Sequence, residues 1–353
     1  MRKRWTGLLL TLLLLLLAGG LLVWTFARVH WSEVWLALRS LHLWQISIWM
    51  LVNLVILILL NLRWWFLLRL QGVKVPFFSI FIYRLAGFGL SYLTPGPQFG
   101  GEGWLVLLLR RRHGVSFMEG SISVAIDKLI ELLANFSFLA FGLLISLQVG
   151  IPNTILSTVL TLPLIGLLSA PFLLFGLLAK GILPASWLVK RWQQPPRLLL
   201  KLLQVLSDAE ERSASLIRQK LWLLIAIYLY SLGIWLVLLG EFWLMLHFLR
   251  IDVGFRQTVF TLTAARLAFL TPLPGGLGAL EAAQVAAVQG LGFSAALGLS
   301  LSLLQRGRDL LLASLGIAFG SLLHLRPLFP SRETAGSEVF LPSPSLSLQE
   351  RDP

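Results

Sequence analysis

Apolar runs of about twenty residues, each long enough to cross a bilayer as an α-helix, alternate with short basic clusters along most of this chain. The runs are Trp5–Phe26, Leu43–Leu62, Ser116–Leu147, Thr154–Leu178, Trp222–Leu249 and Phe293–Leu323. Met1-Arg2-Lys3-Arg4 before the first run suits a signal peptide or a first span. The length of the run and the lack of an Ala-x-Ala site favour an uncleaved span. Residues 28–41, with Arg28, His30, Trp31, Glu33, Trp35 and Arg39, read as a helix lying at the membrane surface. Leu198–Leu206, inside the basic segment 180–220, reads as an amphipathic helix on the inner leaflet. Pro163 and Pro171 are expected to kink the fourth run. Residues 326–353, rich in Ser, Pro and Glu, read as a disordered tail.

Two apolar stretches break the pattern. Phe77–Leu93 carries Arg84 and stops at Thr94-Pro95-Gly96-Pro97, and the stub Trp104–Leu109 is too short to span before Arg110-Arg111-Arg112-His113. Basic residues at both ends place this stretch as a re-entrant helical hairpin entered from the cytoplasm, with its broken backbone buried in protein or lining a wet seam. Phe255–Leu291 is the second such hairpin; its ends carry few basic residues, so it is expected to enter from the outside.

The two hairpins belong to an internal repeat. Thr271-Pro272-Leu273-Pro274-Gly275-Gly276 echoes the first break, with Thr94 and Thr271 177 positions apart. Beyond Gly114 and Gly292 the offset is 178: Ser116 falls on Ser294, Gly120 on Gly298, Lys128 on Arg306, Glu131 on Asp309, and Ala140-Phe141-Gly142 on Ala318-Phe319-Gly320. With opposite entry sides, the copies are expected to be related by a pseudo-two-fold axis in the membrane plane, an arrangement transporters use. The expected fold is thus all-α: a polytopic membrane protein of about six full transmembrane helices and two re-entrant helical hairpins in an inverted internal repeat. It forms one integral membrane domain over 1–325, with repeat one at about 43–147 and repeat two at about 221–324, followed by a cytoplasmic tail at 326–353.

Composition narrows the function. Apolar residues make up 57% and charged residues 13%, so the net charge of +13 does not indicate nucleic-acid binding. The basic residues sit at the ends of apolar runs, where the positive-inside rule places them. This gives a multi-pass protein of the cell (inner, cytoplasmic) membrane with both termini in the cytoplasm. No cysteine is present and the five His residues have no metal-ligand spacing, so no metal or cofactor is expected.

Ionisable residues within spans are costly and mark candidate sites. Asp127 and Glu131 share one helical face, with Lys128 three residues from Glu131; Arg306 and Asp309 repeat that spacing. Either these are intrahelical salt bridges that let charge sit in a membrane, or they line a substrate path. Asp127 matches uncharged Gln305 and Arg308 matches uncharged Ile130. Each helix therefore keeps one leftover charge, and Asp127 and Arg308 are expected to face a shared seam, paired directly or through a lipid headgroup. Glu102 and Glu281 follow the breaks, either as favourable charges at helix N-termini or as acids meeting a cationic headgroup. Pro95, Pro97, Gly100 and Gly101, with Pro272, Pro274, Gly275 and Gly276, form the breaks, and the glycines would let backbone amides approach a phosphate. Arg84 and Arg266 precede Thr94 and Thr271 by 10 and 5 residues; they are not strict repeat mates, but each can bind phosphate. Trp64, Trp65 and the other Trp residues read as interfacial anchors.

Leu93-Thr94-Pro95-Gly96-Pro97, Gly100-Gly101-Glu102, Arg110 to Val115 and Ser123 to Lys128, with Pro272 to Glu281 and the later Arg306, resemble the lysylphosphatidylglycerol synthetase transmembrane (flippase-like) family over roughly residues 5–325. The resemblance implies movement of aminoacylated phospholipid between leaflets. It does not imply the synthetase reaction, because only a short polar tail follows Leu325. The implied partners are membrane lipids, anionic or aminoacylated phospholipid among them; a second copy of the chain and a separate lipid-modifying enzyme stay open as partners. Against the translocating reading stand two others: a membrane-embedded transferase acting on a lipid headgroup, for which Asp127, Glu131 and Glu102 offer a base, and a scaffold for a lipid-modifying enzyme.

Overall fold

The computed structural model describes residues 29–93, 100–148, 158–182, 211–271, 273 and 276–325, with scattered positions between 16 and 27. Every extended element among them is an α-helix and none is a strand. Most of the expected first span, the segment Leu198–Leu206 and the tail lie outside the described residues.

The helices follow in order: α1 (Trp31–Arg39), α2 (Leu43–Leu70), α3 (Phe77–Leu93), α4 (Glu102–His113), α5 (Phe117–Gln148), α6 (Thr158–Lys180), α7 (Leu221–Phe248), α8 (Phe255–Ala268), α9 (Ala279–Gly290) and α10 (Ala295–Leu325). Among the described residues, three helices are long and apolar enough to cross a membrane: Leu43–Leu70, Phe117–Ser146 and Leu221–Phe248. The apolar windows of α2 and α7 are only 17% buried, against 44% in α5, so α5 is the central helix and α2 and α7 flank it. Large apolar side chains such as Leu51, Leu54, Leu229 and Leu236 are left exposed on the flanking helices, a surface suited to acyl chains rather than water. On α1, Trp31 and Trp35 are exposed and only Val34 is buried, which is the pattern of a surface helix.

Two boundaries differ from the sequence reading. The second apolar run does not end at Leu62: its helix continues to Leu70, and Arg63 and Trp64 are 2% and 1% exposed. Arg63 is therefore a core cation, not a basic flank, and Trp64 is a core ring, not an interfacial anchor. The reason is tertiary, because α3 and α5 both pack on α2 and supply partners that the hydropathy profile cannot register. The short stub Trp104–Leu109 is part of a longer helix, Glu102–His113. It ends at Gly114, whose φ of 63° suits glycine and whose N–H donates to the Arg110 carbonyl, a left-handed cap that closes the arginine-rich turn. Ser116 and Glu119 then cap α5 reciprocally through their side chains. Pro163 and Pro171 lie inside α6 without ending it.

Glycines set the packing. Gly316 of α10 meets the Leu85 carbonyl of α3 with no room for a Cβ, and Gly89 of α3 faces the Ala313 carbonyl in return. Small residues of this kind let membrane helices approach backbone to backbone. Positions 178 apart do equivalent work. Gly120 faces Val106 on α4 as Gly298 faces Val285 on α9; Gly142 faces Thr263 on α8 as Gly320 faces Ala86 on α3. Gly114 and Gly292 both adopt positive φ, 63° and 87°. Each first hairpin arm packs on the long helix of the other half, α3 on α10 and α8 on α5, while α2 packs on α7.

Replacing Gly316 by Leu forces α3 and α10 apart and is expected to lower stability by about 1–3 kcal/mol, the usual cost of overpacking. Gly307→Ala on the same helix, where an added Cβ meets nothing within 4 Å, is expected to be neutral or slightly stabilising. Thermal unfolding of the detergent-purified variants measures both.

Candidate functional site

Arg63 is the centre of a buried ionic cluster in the first half of the chain. Its Nε donates to Asp127 Oδ1 at 2.7 Å and its Nη2 to Glu131 Oε2 at 3.3 Å. Arg84, from α3, reaches the same two carboxylates, 3.1 Å from Asp127 Oδ2 and 3.6 Å from Glu131 Oε2. It also donates to the Leu60 carbonyl at 3.1 Å. Lys128 joins Glu131 at 3.2 Å and Glu102 at 3.6 Å, so the network runs from α2 through α5 to the start of α4. The helical repeat of α5 explains the arrangement, since positions 127, 128 and 131 project from one side within about one turn. Arg63, Arg84 and Lys128 balance Asp127, Glu131 and Glu102 in formal charge.

The second half carries two ionic groups. Arg306 Nε donates to Glu281 Oε1 at 2.8 Å, with the side chains 7% and 4% exposed. The other oxygen of Glu281 accepts the Gly278 N–H at 2.8 Å, so this carboxylate caps α9 and holds an arginine at once. Arg308 pairs with Asp309 at 2.9 Å and with Glu241 Oε1 at 3.2 Å, and donates to Asn53 Oδ1 at 3.1 Å. Glu241 Oε1 also accepts from Trp49 Nε1 and Asn53 Nδ2. A carboxylate on α7 is thus ringed by donors from α2 and α10.

These contacts correct three expectations. Asp127 and Arg308 are not a pair: Asp127 is held by Arg63 and Arg84, and Arg308 by Glu241 and Asp309. Neither is a leftover charge, because its partners come from helices remote in sequence. Lys128–Glu131 forms as the spacing predicts, but Arg306 and Asp309 each take another partner. The amides of Gly100 and Gly101 do not wait for a phosphate; they donate to Glu102 Oε2 at 2.7 Å and Ser91 Oγ at 2.8 Å. Gly100 and Gly276 do need glycine, with φ of 142° and 66°. Pro95, Pro97, Pro272, Pro274 and Gly275 lie outside the described residues.

Sequence reasoning missed Arg63, Glu241, Asn53 and Trp49. One signal was present: Arg63 and Glu241 lie 178 positions apart, at the repeat offset, with opposite charge. Each serves the long helix of its own half, Arg63 through Asp127 and Glu241 through Arg308. Arg266 takes a different position. Its guanidinium lies over the Trp235 ring, 4.8 Å from the centroid, and the charges acting on it are Arg308, Glu241, Asp309 and Glu131, from both halves.

A double-mutant cycle on Glu281 and Arg306 is expected to return a coupling of about 1.5 kcal/mol or more, because removing one partner strands a buried charge. The same cycle on Asp127 and Arg308 is expected to be additive to within about 0.5 kcal/mol. Unfolding free energies in detergent decide between these contacts and direct Asp127–Arg308 pairing.

The chain is similar to a UPF0104 membrane protein of Pyrococcus horikoshii, 24% identical over 264 residues that cover 69% of this chain and 76% of that protein. The pattern of the lysylphosphatidylglycerol synthase TM region matches residues 7–316, which include α1 to α9 and most of α10. The chain, with its apolar helices and the ionic groups set among them, is therefore a membrane protein of the lysylphosphatidylglycerol synthase TM region family.

Proposed function

We propose that this protein moves a phospholipid, or another lipid-linked headgroup, between leaflets along the polar seam where its two halves meet. The observation that carries this reading is the placement of the ionic groups. Charges within spans cost about 2.5–3.5 kcal/mol each on insertion scales, and one pair is enough to staple two helices. Here Arg63, Arg84, Asp127, Lys128 and Glu131 in one half, and Glu241, Glu281, Arg306, Arg308 and Asp309 in the other, are held in linked groups. A seam of this kind lets a polar headgroup exchange one set of charged partners for another while its acyl chains stay in lipid.

The architecture we propose is an inverted repeat of about six spans and two re-entrant hairpins, with α3–α4 and α8–α9 entering from opposite sides. It is supported by the reciprocal packing of α3 on α10 and α8 on α5, and by the paired glycine contacts 178 positions apart. Cytoplasmic termini and a cell-membrane location are part of the same proposal, supported by the basic clusters at the ends of the apolar runs. The lipid is proposed to carry a phosphate, with anionic or aminoacylated phospholipid as the family likeness suggests.

Vesicles reconstituted with the purified chain and a fluorescent phospholipid are expected to lose the protected inner-leaflet signal to an external membrane-impermeant quencher faster than protein-free vesicles. Glu281→Gln is expected to slow that exchange at least about tenfold, on the scale of one lost charge-assisted contact. No exchange above the protein-free rate sinks the translocation reading, and a chemically altered lipid favours a transferase. Reporters inserted after His113 and after Gly290 are expected on opposite sides of the membrane; a shared side rules out the inverted arrangement.

A further inference from the structure

We infer that Arg266 is the phosphate-recognition residue of the seam, and that its ligand is the phosphodiester of a lipid headgroup; this rests on the translocation reading and supplies its point of recognition. A guanidinium carries five N–H donors in a planar fork. Among the described residues Arg266 forms no hydrogen bond and no ion pair, although it is half-buried. The other seam arginines, Arg63, Arg84, Arg306 and Arg308, all hold a carboxylate within 4 Å. Arg266 is therefore the seam arginine whose hydrogen-bonding fork is uncommitted.

Its position is fixed without consuming those donors. Trp235 is stacked against Phe138, centroids 4.4 Å apart and planes at 13°, which leaves one face of the indole for the guanidinium. A cation held by a ring face keeps its N–H edge directed outward. Phe138 belongs to α5, Trp235 to α7 and Arg266 to α8, so the stack bridges the two halves. Arg308 is a like charge acting on Arg266, and an anion bound at the Arg266 fork relieves that repulsion. Glu241 and Asp309 stabilise the cation from a distance, but both are engaged by Arg308 and neither closes on Arg266. A planar fork that is charged, half-buried and uncommitted matches the paired oxygens of a phosphodiester.

The test uses the full chain in detergent, with calorimetric titration of dihexanoyl-phosphatidylglycerol, of dihexanoylglycerol lacking the phosphate, and of inorganic phosphate. The wild type is expected to bind the phospholipid, Arg266→Gln to bind it at least about tenfold more weakly, and dihexanoylglycerol to give no comparable heat. Inorganic phosphate is expected to bind more weakly than the lipid but with the same sensitivity to Arg266→Gln. Unchanged affinity in Arg266→Gln, or equal binding of dihexanoylglycerol, overturns the assignment; phosphate binding as tightly as the lipid overturns its lipid half. Arg266→Lys keeps the charge and guards against misfolding. With a wild-type unfolding temperature, it supports the fork if affinity falls and refutes it if affinity is retained. Leaflet exchange separates the two proposals. Exchange equal in wild type and Arg266→Gln removes Arg266 but leaves translocation, whereas Arg266-dependent binding without exchange removes translocation but leaves the site.

Discussion

A buried arginine between two carboxylates is the contact on which the first half of this protein depends. Arg63 is 2% exposed, so no bulk water offsets its charge, and Asp127 and Glu131 have to be where they are for α2 to sit against α5. The same carboxylates hold Arg84 and so set the position of α3. An apolar interior gives helices little reason to choose one register over another, since lipid chains are as apolar as leucine. Ion pairs and close glycine contacts supply the choice. The cost of exposing any one of these charges to hydrocarbon is what makes the arrangement specific.

The second half solves the same problem with the charges reversed. Glu241 stands at the repeat position of Arg63 and takes up Arg308 in place of Asp127. Its support comes from Trp49 and Asn53 of α2, so the first half helps to hold the ionic group of the second. The α2–α7 contact thus buries a polar group between helices whose outer surfaces are apolar. α2 and α7, two of the helices long and apolar enough to cross a membrane, thus both contribute to the buried ionic groups.

The hairpins add backbone constraints to the ionic ones. Glu102 and Glu281 each accept a glycine amide at the start of a returning arm and each meet a cation on the long helix beside it, Lys128 and Arg306. A carboxylate in that position satisfies an orphan N–H, complements the helix dipole and anchors the arm at one stroke. The amides of Gly100, Gly101 and Gly278 are occupied by side-chain oxygens, whereas Arg266 rests on the Trp235 ring that stacks on Phe138.

The amino-acid sequence by itself determined the class of protein, because apolar run length and helix periodicity are local properties that a bilayer reads directly. It also disclosed the 178-residue offset, the interruptions, and the charged positions of α5 and α10, and it placed α5, α7 and α10 close to their observed bounds. The spacing of Lys128 and Glu131 foretold their contact, since neighbours on one helix need no knowledge of the fold. Which charge meets which across helices was another matter. Asp127 lies 64 residues from Arg63, and Glu241 lies 67 from Arg308, and no local rule connects positions so far apart. Only packing brought them together, because in a low-dielectric interior the partner of a charge is whichever opposite charge the neighbouring helix carries to the same depth.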